Sequence, residues 1–265
     1  MTEAVGRIWA IALNTFREAV RIRVLYGILV VVIGLNLLTL VLGQMATLEE
    51  ARVTRDVGLA GISLFGSLTA IFLGVFLLYT EVQRRTIHGI VSKPIERWEF
   101  VIGKYVGMGL VLSVLVGVFT IAMLLMLVWQ DIGVSIAVVK AIVLAWFEVL
   151  VVAAIAIFFS SFSTPFLSGI FALALWVIGR VTPDIERATL MSSQFIKNVA
   201  GIALRIVPDL HLFSVSGRVV ENQPTSVHGE FVSWGYVGLA SLHALGWIAG
   251  LLAFAALLFH RRDFV

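Results

Sequence analysis

Long apolar runs divided by short polar segments set the pattern of this chain. Residues 24–45, 57–80 and 105–128 hold no charged side chain, and each reaches the roughly 20 apolar residues that a helix needs to cross a bilayer. Residues 138–159 form a fourth run, with Lys140 near one end and Glu148 within it. Residues 165–181 form a short fifth, close to the lower limit of about 17, and residues 233–259 a generous sixth. The runs are continuous, whereas a β-barrel shows alternating segments of about ten residues. The pattern predicts an all-α membrane protein with six transmembrane helices.

Two further segments carry a helical stripe without being apolar throughout. In residues 1–23, Val5, Ile8, Trp9, Ala12, Leu13, Phe16, Ala19 and Val20 recur on one side, with Arg7, Asn14, Arg17, Glu18 and Arg21 on the other. That predicts an N-terminal interfacial helix, its aromatic side down and its arginines toward headgroups; the alternative is a continuation of the first span. Residues 184–207 show a similar stripe through Ala188, Met191, Phe195, Val199, Ile202 and Ile206, bracketed by Pro183 and Pro208. This amphipathic outer segment is expected to cap the spans. Residues 222–229, NQPTSVHG, read as an exposed loop. Residues 160–164 carry no charge and must turn tightly, and Thr164 before Pro165 predicts a helix start with a capping hydroxyl.

Composition agrees. The chain is 60% hydrophobic and 13% charged, with a mean hydropathy of +1.04, which excludes a soluble domain. The absence of cysteine removes disulfides, thiolate metal sites and thiol catalysis. Residues 1–23 do not read as a secretory signal, because the apolar run that follows is too long and lacks a cleavage site. A net charge of +3 gives no reason to expect nucleic acid as a partner; the basic residues are better explained by orientation. Arg7, Arg17, Arg21, Arg23, the basic cluster of residues 81–104, Arg261 and Arg262 fall on one side. The other side has Arg52 and Arg55 against Glu49, Glu50 and Asp56, then Asp131, and a long segment whose bases are matched by acids. The positive-inside rule then places both termini and residues 81–104 in the cytoplasm.

Residues 81–104, EVQRRTIHGIVSKPIERWEFVIGK, concentrate charge in a chain that has little, with Arg84, Arg85, Lys93, Arg97 and Lys104. Reversing the chain between two spans takes only about two to five residues, so the segment has room for a short transverse helix. Thr86 can cap it, Ile87, Ile90 and Val91 give it an apolar edge, and Pro94 ends it. Residues 96–104 then start the third span, with Trp98 at interface depth, and Arg97 and Lys104 can pair with headgroups or with acids of a partner.

These residues resemble the permease subunits of ABC exporters of the type-two class, whose fold is also called type V. The matching positions are Glu81, Thr86-Ile87, Val91-Ser92, Pro94-Ile95, Arg97, Phe100-Val101 and Gly103-Lys104, with FSSFSTPFLS (159–168), VPDLHLF (207–213) and RRDF (261–264) elsewhere. The likeness is closest to the group containing the copper-enzyme-maturation permease. Arg85 departs from it, standing where a glycine is common, and Gly89 interrupts the transverse helix at a cost of about 1 kcal/mol relative to alanine. The resemblance implies a single permease domain over residues 1–265 in a bacterial inner (plasma) membrane. Its residues 81–104, with Glu81, Arg84, Arg85, Thr86, Ile87, Val91, Ser92, Pro94, Arg97, Gly103 and Lys104, form a coupling helix region seated in a cytoplasmic ABC ATPase. It also implies a second permease chain, identical or different. No G-x-x-x-x-G-K-[ST] phosphate loop occurs in the sequence, so this chain is expected to bind no cofactor, with ATP and magnesium on the partner ATPase.

Glu148 stands eight residues from Lys140, about 12 Å along a helix and well inside the hydrocarbon. An intramembrane acid is a candidate functional site facing a cavity or partner. The plainer reading is a neutral glutamic acid hydrogen-bonded to a neighbouring span, since no cation adjoins it. His243 is the partner that depth suggests. No metal site is expected: His211, His228 and His243 are scattered, and only Met123 and Met126 lie at close helical spacing. The glycine pairs Gly103/Gly107 and Gly246/Gly250 permit close helix approach. Three functions remain in view. One is a non-catalytic permease that exports or extracts an amphiphile. A second is an ATP-driven mechanical transducer acting on an outer-face partner. The third is an intramembrane enzyme using Glu148 and His243.

Overall fold

Each apolar run forms a helix. In hydrocarbon a backbone must satisfy its own N–H and C=O groups, and a helix does so within one segment. The computed structural model of the chain describes residues 2–45, 50–83, 96–190, 197–198, 201, 204, 207–214, 219–220, 223–224 and 232–260. Among them are α1 (Thr2–Val20), α2 (Arg23–Met45), α3 (Glu50–Gln83), α4 (Arg97–Trp129), α5 (Ile136–Phe162), α6 (Pro165–Arg180), α7 (Thr182–Leu190) and α8 (Trp234–His260). Helices α3, α4, α5 and α8 are each long and apolar enough to cross a membrane. The pairs α1–α2 and α6–α7 are bent by 65° and 64°, and counting each pair as one span brings the total to six. A 3-10 turn at Leu210–Phe213 and a short ladder of Val219–Val220 with Gln223–Pro224 complete the described elements.

Several helices outrun their apolar stretches where polar side chains find partners. Helix α3 starts at Glu50 rather than at 57, because Thr54 donates to the Gln130 side chain at 2.8 Å and Arg55 to the Gly133 carbonyl at 2.8 Å. Helix α4 starts at Arg97, within the stretch 96–104 expected to lead into the third span, with Glu99 accepting from the Glu96 backbone N–H at 3.3 Å. At the α5–α6 turn, Thr164 is the N-cap residue and Pro165 follows, as predicted. The Thr164 hydroxyl, however, makes no capping bond; its carbonyl accepts from the Ser168 N–H at 2.8 Å instead.

Contacts set the direction of each helix. Thr54 meets Gln130 while Leu77 meets Lys104, so α3 and α4 are antiparallel. Gly66 lies against Val149 and Gly74 against Ala156, so α3 and α5 run parallel and closely packed. Tyr105 donates to the Leu150 carbonyl and Trp146 to Ser113, which makes α4 and α5 antiparallel. Helix α5 is thereby enclosed, and Val149, Val151, Val152, Ala153, Ala154, Ile155 and Ala156 in its centre are all fully buried. Lys140 ties its start to the Val232 carbonyl at 2.6 Å, just before α8. Helix α8 keeps Leu239, Leu242, Leu245, Phe254 and Leu257 exposed, the face that lipid covers in a membrane protein.

Helix α1 packs alongside the first turns of α4. Glycine is required at this crossing: a methyl group at Gly107 would press on the Ala12 carbonyl and sit 2.7 Å from the Thr15 Cβ, and one at Gly103 would sit 2.8 Å from the Ile11 Cβ. Arg7 clamps the contact in a bidentate pair, Nε to Glu99 Oε2 at 2.9 Å and Nη2 to Oε1 at 2.7 Å. The Gly246/Gly250 pair behaves differently, since neither position has an atom within 4 Å of an added methyl group.

Candidate functional site

Residues 84–95 lie outside the described residues, and with them the transverse helix and Arg84, Arg85, Thr86, Ile87, Val91, Ser92 and Pro94. Glu81 falls within the last turns of α3. Arg97 is exposed at the start of α4. Gly103 and Lys104 are both buried, Gly103 beneath α1. The Lys104 ammonium points inward, 3.9 Å from Glu18 of α1, 3.3 Å from the Leu77 carbonyl of α3 and 5.8 Å from the centre of the Phe100 ring. This corrects the expectation that Lys104 faces headgroups or a partner's acids. It joins three helices next to the charged segment instead, because a lysine with an acid and a carbonyl in reach can be buried at tolerable cost.

The intramembrane acid sits in a different constellation. Glu148 is fully buried on α5 and accepts three kinds of donor: the Ser63 hydroxyl of α3 at 2.6 Å, the Trp176 indole N–H at 3.3 Å and Arg180 Nη1 at 2.6 Å, the last two from α6. The same Arg180 nitrogen also donates to the Ser63 hydroxyl, and its guanidinium lies 5.9 Å from the Trp176 ring centre. The acid is therefore paired with a cation. An ion pair is the arrangement by which a charge is tolerated at membrane depth.

His243 is not the partner of Glu148. Its side chain is exposed on α8, where Nε2 accepts from the Trp247 indole at 3.1 Å. Depth placed the two at a similar level, but the rotation of α8 turns His243 away from α5. Burial raises the Asp209 carboxyl above its ordinary pKa, while the hydrogen bond from the His211 backbone N–H pulls it down. Asp209 accepts from that N–H at 3.1 Å and so shapes the turn at Leu210–Phe213.

That turn closes one end of the site. Leu210 and Phe213 are buried, and Gly179 fits beneath the Pro208 carbonyl, where an added methyl group would stand 2.6 Å from the oxygen. Tyr236 of α8 holds the Leu212 carbonyl at 2.7 Å. Phe213 and Ser214 then border a small cavity of about 20 Å³ shared with Ser63, Glu148 and Arg180, enough for a single water. Arg180 also borders a second, open space: a groove of about 340 Å³ walled by Leu35 of α2, by Val57, Ala60, Gly61, Leu64 and Phe65 of α3, and by Trp176. Arg180 thus borders both the small cavity beside Glu148 and the apolar groove.

Sequence reading missed Arg180, Ser63 and Trp176. A signal for Arg180 was present, since Glu148 and Arg180 lie almost equally far before and after the turn at Ser163–Thr164. Two helices folded back about that turn must bring them to one level. Ser63 and Trp176 gave no such sign, because hydroxyls and indoles are common in spans.

A family model described as ABC-2 family transporter protein matches residues 9–264. No curated protein matches the chain.

Proposed function

Since this chain belongs to the ABC-2 family of transporter proteins and is a multi-pass permease component of an ABC transporter, we propose that it couples ATP hydrolysis by a cytoplasmic partner ATPase to the export or extraction of an amphiphilic substrate. The observation that carries this reading is the extent of the family match, which takes in α1 from Trp9 onward, helices α2 to α8 and the charged segment before α4. The segment from Glu81 to Lys104 is the natural input. Arg84, Arg85, Lys93 and Arg97 give it a charge complementary to an acidic cleft, and α1, α3 and α4 meet beside it at Lys104. Force applied there enters three helices together. We further propose that both termini face the cytoplasm of a bacterial inner membrane, that two permease chains work as a pair, and that the chain performs no catalysis itself. Within the family, motif likeness favours the group containing the copper-enzyme-maturation permease.

The groove beside Arg180 favours an amphiphile over purely mechanical transduction, because a transducer has no need of an open apolar recess with a cation at its edge. The reading is tested by purifying the chain with its ATPase after charge reversal at Arg84, Arg85 and Arg97. Loss of the ATPase from the purified complex is expected. Undiminished co-purification with a folded triple variant would remove the docking assignment.

A further inference from the structure

Among the described residues, Arg180 uses half of its guanidinium. Arginine has five N–H donors in a fixed planar fork. Among the described residues only Nη1 is engaged, by Glu148 and Ser63. Nε and Nη2 make no bond to any described residue, and the side chain is 28% exposed. The Nε–Nη2 edge is one that binds a carboxylate or phosphate through two parallel bonds. Glu148, by contrast, is wholly buried and does not border the groove. An approaching headgroup therefore meets the positive end of the pair first, with the negative end shielded behind it.

The rest of the groove is suited to a hydrocarbon tail. Its walls are Leu35, Val57, Leu64, Phe65 and Trp176, with the small residues Ala60 and Gly61 among them. A volume of about 340 Å³ falls within the roughly 300–1,000 Å³ of small-molecule sites. Such sites combine apolar walls with a few placed polar groups that set orientation and specificity. Here the only charged residue bordering the groove, among the described residues, is Arg180.

We infer that the groove between α2, α3 and α6 binds a single-chain amphiphile with an acidic headgroup, the acid on the Nε–Nη2 edge of Arg180 and the tail along the α3 wall, and that this is the cargo. The inference takes the permease reading as its premise. It adds a substrate class, since a neutral amphiphile of the same tail would forgo the bidentate contact.

The experiment uses the purified full-length chain in nanodiscs of zwitterionic lipid. The probes are a spin-labelled fatty acid, the matching alcohol and the matching alkyl phosphate. The wild-type chain should bind the acid and the phosphate at least about tenfold tighter than the alcohol, the size of one charge-assisted bond. Arg180→Gln should abolish that preference, and Arg180→Lys should restore only part of it, because the ammonium lacks the fork. Gly61→Phe is the control that leaves the ion pair alone. No atom lies within 4 Å of an added Cβ at Gly61, so the ring enters the groove and should weaken binding of all three probes.

Equal binding of acid and alcohol by the wild type, or unchanged binding by Gly61→Phe, would overturn the inference. So would displacement of the fatty acid by an equal mole fraction of anionic phospholipid, which would make the groove a resident-lipid site. Capture of the ATPase is measured on the same samples. Retained capture with no headgroup preference sinks the groove assignment alone, whereas a wild-type chain that captures no ATPase sinks the permease reading, whatever the groove binds.

Discussion

Replacing Glu148 and Arg180 by glutamine, singly and together, tests whether the two act as one unit. Removing one partner of a buried ion pair costs about 3–5 kcal/mol, because the other charge stays behind without compensation. The two single costs should differ. Arg180→Gln leaves a wholly buried carboxylate with only the Ser63 hydroxyl and the long Trp176 bond. Glu148→Gln leaves a guanidinium that is 28% exposed and borders the open groove, where it can reach headgroup oxygens or water. The arginine variant is therefore expected near the upper end of that range and the glutamate variant near the lower. The double variant carries no stranded charge and should cost less than Arg180→Gln alone, giving a coupling of at least about 3 kcal/mol. The assay is unfolding of the purified chain in mixed micelles of mild detergent and dodecyl sulfate, followed by tryptophan fluorescence or helical circular dichroism. Single costs that add to within about 0.5 kcal/mol in the double variant would show two independent sites and refute the ion-pair account.

Trp176→Phe keeps a ring beside Arg180 but removes the indole N–H, and should cost about 1 kcal/mol in the same assay, as one long hydrogen bond; no change would mean that Glu148 does not use this donor. Gly107→Val drives a branched side chain into Ala12 and Thr15 and should lift α1 from α4 at a cost of about 1–3 kcal/mol. The natural absence of cysteine makes the displacement measurable: a bifunctional maleimide should join cysteines placed at Arg7 and Glu99 in the parent chain and fail to do so with Gly107→Val. Exchanging the charges, Arg7→Glu with Glu99→Arg, should restore α1 protection from protease that Glu99→Gln alone loses. An exchange no better than the single change would assign the contact to the glycines.

Much of the architecture was legible because bilayer crossing is a length and composition requirement. The uncharged runs at 24–45, 57–80 and 105–128 could become little else. The start of α3 was less visible, since Glu50–Val57 is polar and its contacts are with Gln130 and Gly133, distant in sequence. The amphipathic stripe of residues 1–23 foretold a separate helix, and the 65° bend is where it parts from α2. Glu148 was singled out correctly as an unusual residue, yet its partner was sought by depth alone. Depth cannot give the rotation of a helix about its axis, and that rotation separates His243 from Arg180. Lys104 was misplaced for a related reason: a lysine at a span boundary reads as interfacial until a third helix is known to cover it. The glycine pairs looked alike in sequence, and only packing tells Gly103/Gly107, which hold α1, from Gly246/Gly250, where an added methyl group would meet no atom of the described residues within 4 Å.

The central claim is that hydrolysis by a partner ATPase moves an amphiphile through this chain. It is tested most directly in vesicles containing the chain with the ATPase that co-purifies with it, loaded with a fluorescent single-chain fatty acid on one side. The account expects movement that requires ATP, stops with a hydrolysis-deficient ATPase and slows when Gly61→Phe fills the groove. Sustained hydrolysis with no movement of the lipid probe, or movement that continues without ATP, would contradict it.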